Sequence, residues 1–212
     1  MRVGREPVVR AGLKLLDEGG LEGLTLRAIA AELGVRAPTL YWRFKNKQDL
    51  VDEMASYVLV ESTKALEAHP QPTTWQAWVL AYAHGLRNTL LRYRDGARMV
   101  SGSRLTDTRV YTSMERALEM FQSNGIAPSD AVMCLATMYS YVIGFTIEQQ
   151  AVLSPKGERD PRYALSTREE RVDAARYPLS RSIGPDVFDN YDERFERGVR
   201  VITTGFAQEL AV

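Results

Sequence analysis

Between Gly34 and Gln48 the chain carries Arg36, Thr39, Tyr41, Trp42, Arg43, Lys45 and Lys47, and no acidic residue. Cations, a hydroxyl and rings with no carboxylate among them suit a polyanion. An arginine fork matches guanine O6 and N7, a hydroxyl serves donor or acceptor, and lysine meets phosphate as a point charge. Arg36, Thr39 and Tyr41 are therefore the candidates for base edges. Ala37, ahead of Pro38, can touch only a thymine methyl. Trp42, Lys45 and Lys47 suit phosphates, and Arg43 suits either role. The other reading, a solvated face on a helical hairpin, normally mixes both signs of charge and does not show a Tyr-Trp pair.

The surrounding residues supply the frame. Leu26, Ile29, Ala30 and Leu33 fall at i, i+3, i+4 and i+7, one apolar stripe of a short helix. Thr25 is its N-cap, with a hydroxyl that can also face a phosphate, and Arg27 in its first turn is a phosphate candidate. Gly34 suits a helix stop that needs positive φ, and Val35 plugs the corner. Pro38 opens a second short helix, whose Leu40 and Phe44 face back onto the first. Small Ala30 permits the close, steep crossing of a helix-turn-helix. A preceding helix is expected over 2–18, with Val8, Leu13, Leu15 and Leu16 inward, Pro7 in its first turn and Gly19-Gly20 as its stop. Arg2, Arg5 and Arg10 on it either reach flanking phosphates or are simply solvated. These three helices make one DNA-binding unit, residues 1–46, ahead of a helical body over 47–212.

LTLRAIAAELGV and APTLYWRFKNKQDLV resemble the DNA-binding domain of the tetracycline-repressor (TetR) family. LLRYRDGARMVSG, MFQSNGIAPSDA and IGFTIEQQ are similar to the C-terminal domain of that family's own tetracycline-binding branch, so the likeness runs to about Ala151. The resemblance implies an all-α homodimeric repressor that binds a palindromic duplex operator and is released by a small molecule. It also implies a point of departure. That branch holds its drug through magnesium, using a histidine after the RDGA motif, where this chain has Val100. A second family histidine corresponds to Ser140, and Glu148 alone matches the family's carboxylate. No metal or cofactor is therefore expected, and the effector should be a metal-free, apolar or aromatic compound. The rival is a DNA-binding architectural protein that ignores ligands.

Bulk properties agree. With 212 residues, 45% apolar and 25% charged, the chain has the composition of a soluble globular protein. A single cysteine, no signal peptide and no apolar run of about 18 residues make the cytoplasm the expected compartment. Net charge is zero, yet residues 1–50 carry nine Lys or Arg against six Asp or Glu, and the remainder eighteen against twenty-one. A basic head on an acidic body fits the motif.

In the body, Asn46 caps a helix from Lys47 to about Glu67, whose Met54-Val58-Ser62 and Leu50-Ala55-Leu59 faces can join head to body. Helices are expected at 75–93 (capped by Thr73 or Thr74), 97–102, 107–124, 128–153, 165–176 and 186–210, with a loop at 154–163 and irregular chain at 177–185. The 128–153 helix is apolar nearly all round and should be buried on every face, one side against the internal core and the other against a partner subunit. Phe188, Tyr191, Phe195, Val199, Ile202, Phe206 and Leu210 form a seam on the last helix, which covers its own core or builds an intersubunit four-helix bundle. Tyr141, Phe145, Phe195, Val199, Ile202 and Phe206 are the dimerisation candidates.

For the effector, Trp78, Tyr82 and Leu86 on one helix, Met99 and Arg104 after it, and Leu118, Leu135, Met138 and Tyr139 beyond are wall candidates, each also readable as core. An enzyme is not expected. His69 sits in a Pro-bounded turn, His84 reads as a hydrogen-bonded wall residue, and Cys134 as a small core residue. No HExxH, CxxC, GxSxG or phosphate-binding glycine loop occurs.

Overall fold

The computed structural model describes residues 4–67 and 72–210, the side chains of residues 65–67 and 188 excepted. Arg2 and His69 lie outside the described residues, as does the side chain of Phe188.

Helix α1 (Arg5–Gly23) buries Val8, Val9, Leu13 and Leu16, and Gly20, at φ 66°, breaks it before a last turn. Thr25 caps α2 (Leu26–Glu32) by accepting from the Ala28 amide at 3.1 Å. Gly34, at φ 63°, then reverses the chain, and the Val35 amide closes the corner on the Ala30 carbonyl at 2.9 Å. The next helix, α3 (Pro38–Tyr41), is one turn long, and the Arg43 and Phe44 amides prolong it by donating to the Leu40 carbonyl. Leu40 and Phe44 are buried against α2, as their spacing requires.

Asn46 starts α4 (Lys47–Glu67) by accepting from the Asp49 amide at 2.9 Å, while the Asp49 carboxylate accepts from the Lys45 amide. Helix α4 touches α1 on one side and α5 (Trp75–Leu91, capped by Thr74), α6 (Gly96–Val100) and α7 (Arg109–Ser123) on the other. It is the spine between head and body. The body's core helix, α8 (Pro128–Val152), packs against α5, α6, α7 and the last long helix. By length and composition α8 is apolar enough to cross a membrane, but here it forms the middle of a helical bundle.

Within one protomer the neighbouring helices surround the Cys134-Met138-Val142 side of α8, and Val132, Met133, Ala136, Thr137, Ser140 and Gly144 stand exposed on the other. Two expectations need correction. The stretch 177–185 is not irregular. Pro178 and Pro185 each start a single turn, α10 (Pro178–Ser182) and α11 (Gly184–Phe188), after α9 (Leu165–Arg171), which stops short of Arg176. The last helix does not begin at Asp186. Asn190, left-handed at φ 54°, separates α11 from α12 (Tyr191–Glu209), so the apolar seam spans a break.

Polar contacts lock head to body. Arg5 donates to Oδ2 of the buried Asp107 carboxylate at 2.9 Å and pairs with Glu53, and Arg109 donates to the same Oδ2 at 2.7 Å. The guanidinium of Arg109, with its amide and Arg5, keeps the Asp107 carboxyl well below the usual carboxylate range. A carboxyl depressed in the folded state stabilises fully above its unfolded pKa of about 4, and that stabilisation is lost as pH falls below it. Asp107→Asn should therefore cost about 2–3 kcal/mol at pH 7, since two guanidiniums lose their shared partner. It should also flatten the fall in melting temperature between about pH 5 and pH 3. An acid profile identical to that of the parent would remove Asp107 from this account.

Candidate nucleic-acid interface and sensing domain

The crossing of α2 and α3 leaves one face of the head to solvent. Tyr41 is 47% and Trp42 58% exposed, two large rings side by side on that face. Arg36, Pro38, Arg43, Lys45 and Lys47 are exposed beside them, while Ala37 and Thr39 are half-buried at the start of α3. The Arg43 guanidinium lies 6.0 Å from the Trp42 ring. Thr25 and Arg27, at the start of α2, are exposed on the same short motif.

The ion pairs separate this face from the rest of the head. Among the described residues, Arg27, Arg36, Arg43, Lys45 and Lys47 pair with no carboxylate. Away from it, Lys14 pairs with Glu32 at 2.6 Å and Arg10 with Glu6 at 2.7 Å. Lys47 also donates to the Leu21 carbonyl, which ties the α1–α2 connector to the start of α4. Arg5 is not a phosphate contact: Glu53 and Asp107 turn it inward, to 29% exposure. Arg10 folds onto Glu6 and the Tyr57 ring.

Sequence reading missed a second junction between head and body. Asp95, left-handed at φ 57°, points its carboxylate at the Leu21 amide, 2.9 Å away. Asp17 in turn accepts from the Arg94 amide at 3.0 Å. The α5–α6 turn thus grips the end of α1 directly, in parallel with α4. The only local sign was the Arg-Asp-Gly turn itself, which names no partner.

In the body, Trp78 and Tyr82 stack at 5.4 Å with planes 10° apart, and Trp78 meets Phe121 of α7 edge-on at 6.4 Å. Tyr139 and Leu135 on α8 and Leu118 on α7 are half-buried, whereas Leu86, Met99 and Met138 are fully packed core. Arg104 does not belong to this group. Asp52 at 2.9 Å and Asp49 at 3.6 Å, one turn apart on α4, draw its guanidinium to the surface, where it is 75% exposed. An open groove of about 940 Å³ lies instead between Asp17, Arg94, Asp95 and the 153–160 turn, and none of the wall candidates lines it.

Some dimerisation candidates also serve the protomer itself. Phe195 and Val199 are wholly buried in its own core, so they are corrected from partner contacts to internal ones. Tyr141 stacks on Phe195 at 5.6 Å and donates its hydroxyl to the Phe195 carbonyl, and Phe145 meets the same ring at 5.2 Å. Ile202 and Phe206 are half-buried. The sides of α8 and α12 left open carry Val132, Met133, Ser140 and Gly144 on one helix, and Val201, Thr204 and Gly205 on the other. His84 donates from Nε2 to the Glu196 carboxylate at 2.7 Å, joining α5 to α12. Cys134 is a buried core thiol, which desolvation pushes up to about 11.

Known proteins match both parts of the chain. The family described as bacterial regulatory proteins, tetR family, matches residues 8–54, and the tetracyclin repressor-like C-terminal domain matches residues 69–210. The tetracycline repressor protein class A from transposon 1721 of Escherichia coli is 37% identical over 210 residues, spanning 97% of this chain and 91% of that protein. Among solved structures, a possible TetR family transcriptional regulator from Streptomyces coelicolor A3(2) superposes with a TM-score of 0.83 at 30% identity, covering 97% of this chain and 99% of the other. A TetR variant from Acinetobacter baumannii AYE in complex with minocycline gives 0.72 at 29% identity, covering 97% of each chain.

Proposed function

This chain belongs to the TetR family of bacterial regulatory proteins and is a helix-turn-helix transcriptional repressor, and from that premise we propose how it reads DNA and what releases it. Two copies pair through the open sides of α8 and α12 into a four-helix bundle, and residues 1–46 of each enter successive major grooves about 34–36 Å apart on a palindromic operator. Arg36, Thr39 and Tyr41 meet base edges. Lys45, Lys47, Trp42, Arg27 and Thr25 hold phosphates, which fix register without reading sequence. The observation that carries this reading is the set of carboxylate-free cations around Tyr41 and Trp42, on a head whose other described cations are paired.

A small aromatic molecule in the body, in the cytoplasm, then dissociates the complex. Complex formation by a relative with minocycline supports a small-molecule effector. The residues present do not fit a magnesium-held one. Val100 is buried and has no donor atom, and Ser140 stands on the exposed side of α8, its hydroxyl donating to the Ala136 carbonyl. No group of three or more His, Cys, Asp or Glu is assembled for a metal among the described residues. Ligand entry can change head spacing only as far as it favours one arrangement of α4 and of the Asp95–Leu21 contact over another.

Selection from random duplexes at moderate salt tests the reading. The expected product is an inverted repeat with half-sites one helical turn apart, bound by a dimer. Enrichment of no sequence, or of a single half-site by a monomer, would sink it.

A further inference from the structure

Two polar side chains are buried on α4 where it leaves the head, and both take partners from the body. Asp52 is 1% exposed. Its carboxylate accepts from the Gln48 side chain at 2.8 Å, from the Arg104 backbone amide at 3.1 Å and from Arg104 Nε at 2.9 Å. One turn on, Ser56 accepts from the Thr106 amide at 2.8 Å. Burial works against a charged Asp52, yet the Gln48 and Arg104 donors outweigh it and hold the carboxyl below the usual value, so it is an anion at neutral pH. One turn back, Asp49 faces the same guanidinium at 3.6 Å, and its other oxygen accepts from the Lys45 amide at 2.9 Å. Arg104 therefore reaches from the body, through a carboxylate, to the backbone of a residue on the DNA face.

The start of α4 sets two demands against each other. A helix N-terminus favours Asp49, but a duplex held by Lys45 and Lys47 is repelled by carboxylates beside them. The head does not supply the missing charge there: Asn46 is neutral, and Lys47 is turned to the Leu21 carbonyl. Resting on the DNA-reading face proposed above, we infer that Arg104 is a positioning residue for operator binding. It cancels the charges of Asp49 and Asp52 next to Lys45 and Lys47, and it steadies the Asp49 cap that fixes the Lys45 backbone. The reading unit thus extends beyond residues 1–46 to include a residue of the body.

The test is a double-mutant cycle on the full-length protein, read by anisotropy titration of the selected operator over a salt series, with Lys45→Ala as the control. Arg104→Gln should weaken binding by about three- to thirtyfold at low salt, one part-exposed ion pair being lost from each of two heads, and by less as salt rises. Arg104→Lys, which restores a point charge, should keep most of the affinity. Adding Asp49→Asn to Arg104→Gln should recover most of the loss, since the amide oxygen still caps Lys45 and the charge is gone. A purely structural tie predicts the opposite, a further loss in the double variant that salt leaves unaltered. Unchanged binding in Arg104→Gln, or a loss that Asp49→Asn does not relieve, overturns the role of Arg104 while Lys45→Ala still weakens binding. If Lys45→Ala binds as the parent does, the DNA-reading face itself is misplaced and the inference falls with it.

Discussion

Arg36→Ala is expected to weaken binding to the selected operator by about 1–3 kcal/mol per half-site, roughly 5- to 150-fold, and to relax preference at one base position. The side chain is exposed, pairs with no carboxylate among the described residues, and lies at the approach to α3, where a fork can reach guanine without first breaking an internal contact. A phosphate-holding cation behaves differently. Lys45→Ala should weaken all sequences alike and reduce the salt dependence of binding by about one unit per half-site, because one fewer counterion is displaced. Lys45 is the cleaner probe of that role. Lys47→Ala also removes the tie to the Leu21 carbonyl and so loosens the connector as well as the grip. Anisotropy titrations of specific and scrambled duplexes over a salt series separate the cases. A parallel loss on both duplexes in Arg36→Ala would demote Arg36 to a phosphate contact, and an unchanged slope in Lys45→Ala would remove Lys45 from the backbone.

The reading head was legible in sequence because its determinants are local. The Thr25 cap, the Gly34 reversal, Pro38 at a helix start and the Leu40–Phe44 pair all act within twenty residues of one another. What the pattern could not show was which charges meet. Arg5 has the composition of a phosphate contact and becomes an internal tie only because Asp107, 102 residues later, folds against it. Arg104 leaves the candidate wall for the same reason, drawn off by two α4 carboxylates about fifty residues earlier. The Asp95–Leu21 contact spans 74 residues and is equally invisible. Helix α8 was legible only in part. A helix apolar on all sides has no amphipathic direction, so its sequence cannot say which side the protomer covers. The same 3–4 spacing that marked α12 ran on through Phe188 and concealed the left-handed turn at Asn190.

The open sides of α8 and α12 yield the other large effect. Val201→Glu is expected to leave the protomer folded, dissociate the dimer, and lower operator affinity by about a hundredfold or more, because two half-sites are no longer read in one event. The protomer tolerates the change because Val201 is 65% exposed on it, yet the same carboxylate in an apolar bundle is buried without a partner. The glycines separate folding from association. A Cβ at Gly198 would lie 2.0 Å from the Tyr141 hydroxyl, so Gly198→Ala strikes the α8–α12 contact inside the protomer and should lower its melting temperature. A Cβ at Gly144 or Gly205 meets nothing within 4 Å in the protomer, so Gly144→Leu fills only the space that a second copy would take. Sedimentation equilibrium at micromolar concentration, set beside operator titrations, reads both quantities. If Val201→Glu and Gly144→Leu remain dimeric and bind the operator as the parent does, the subunits meet through some other surface, and the spacing of the two heads must be set from there.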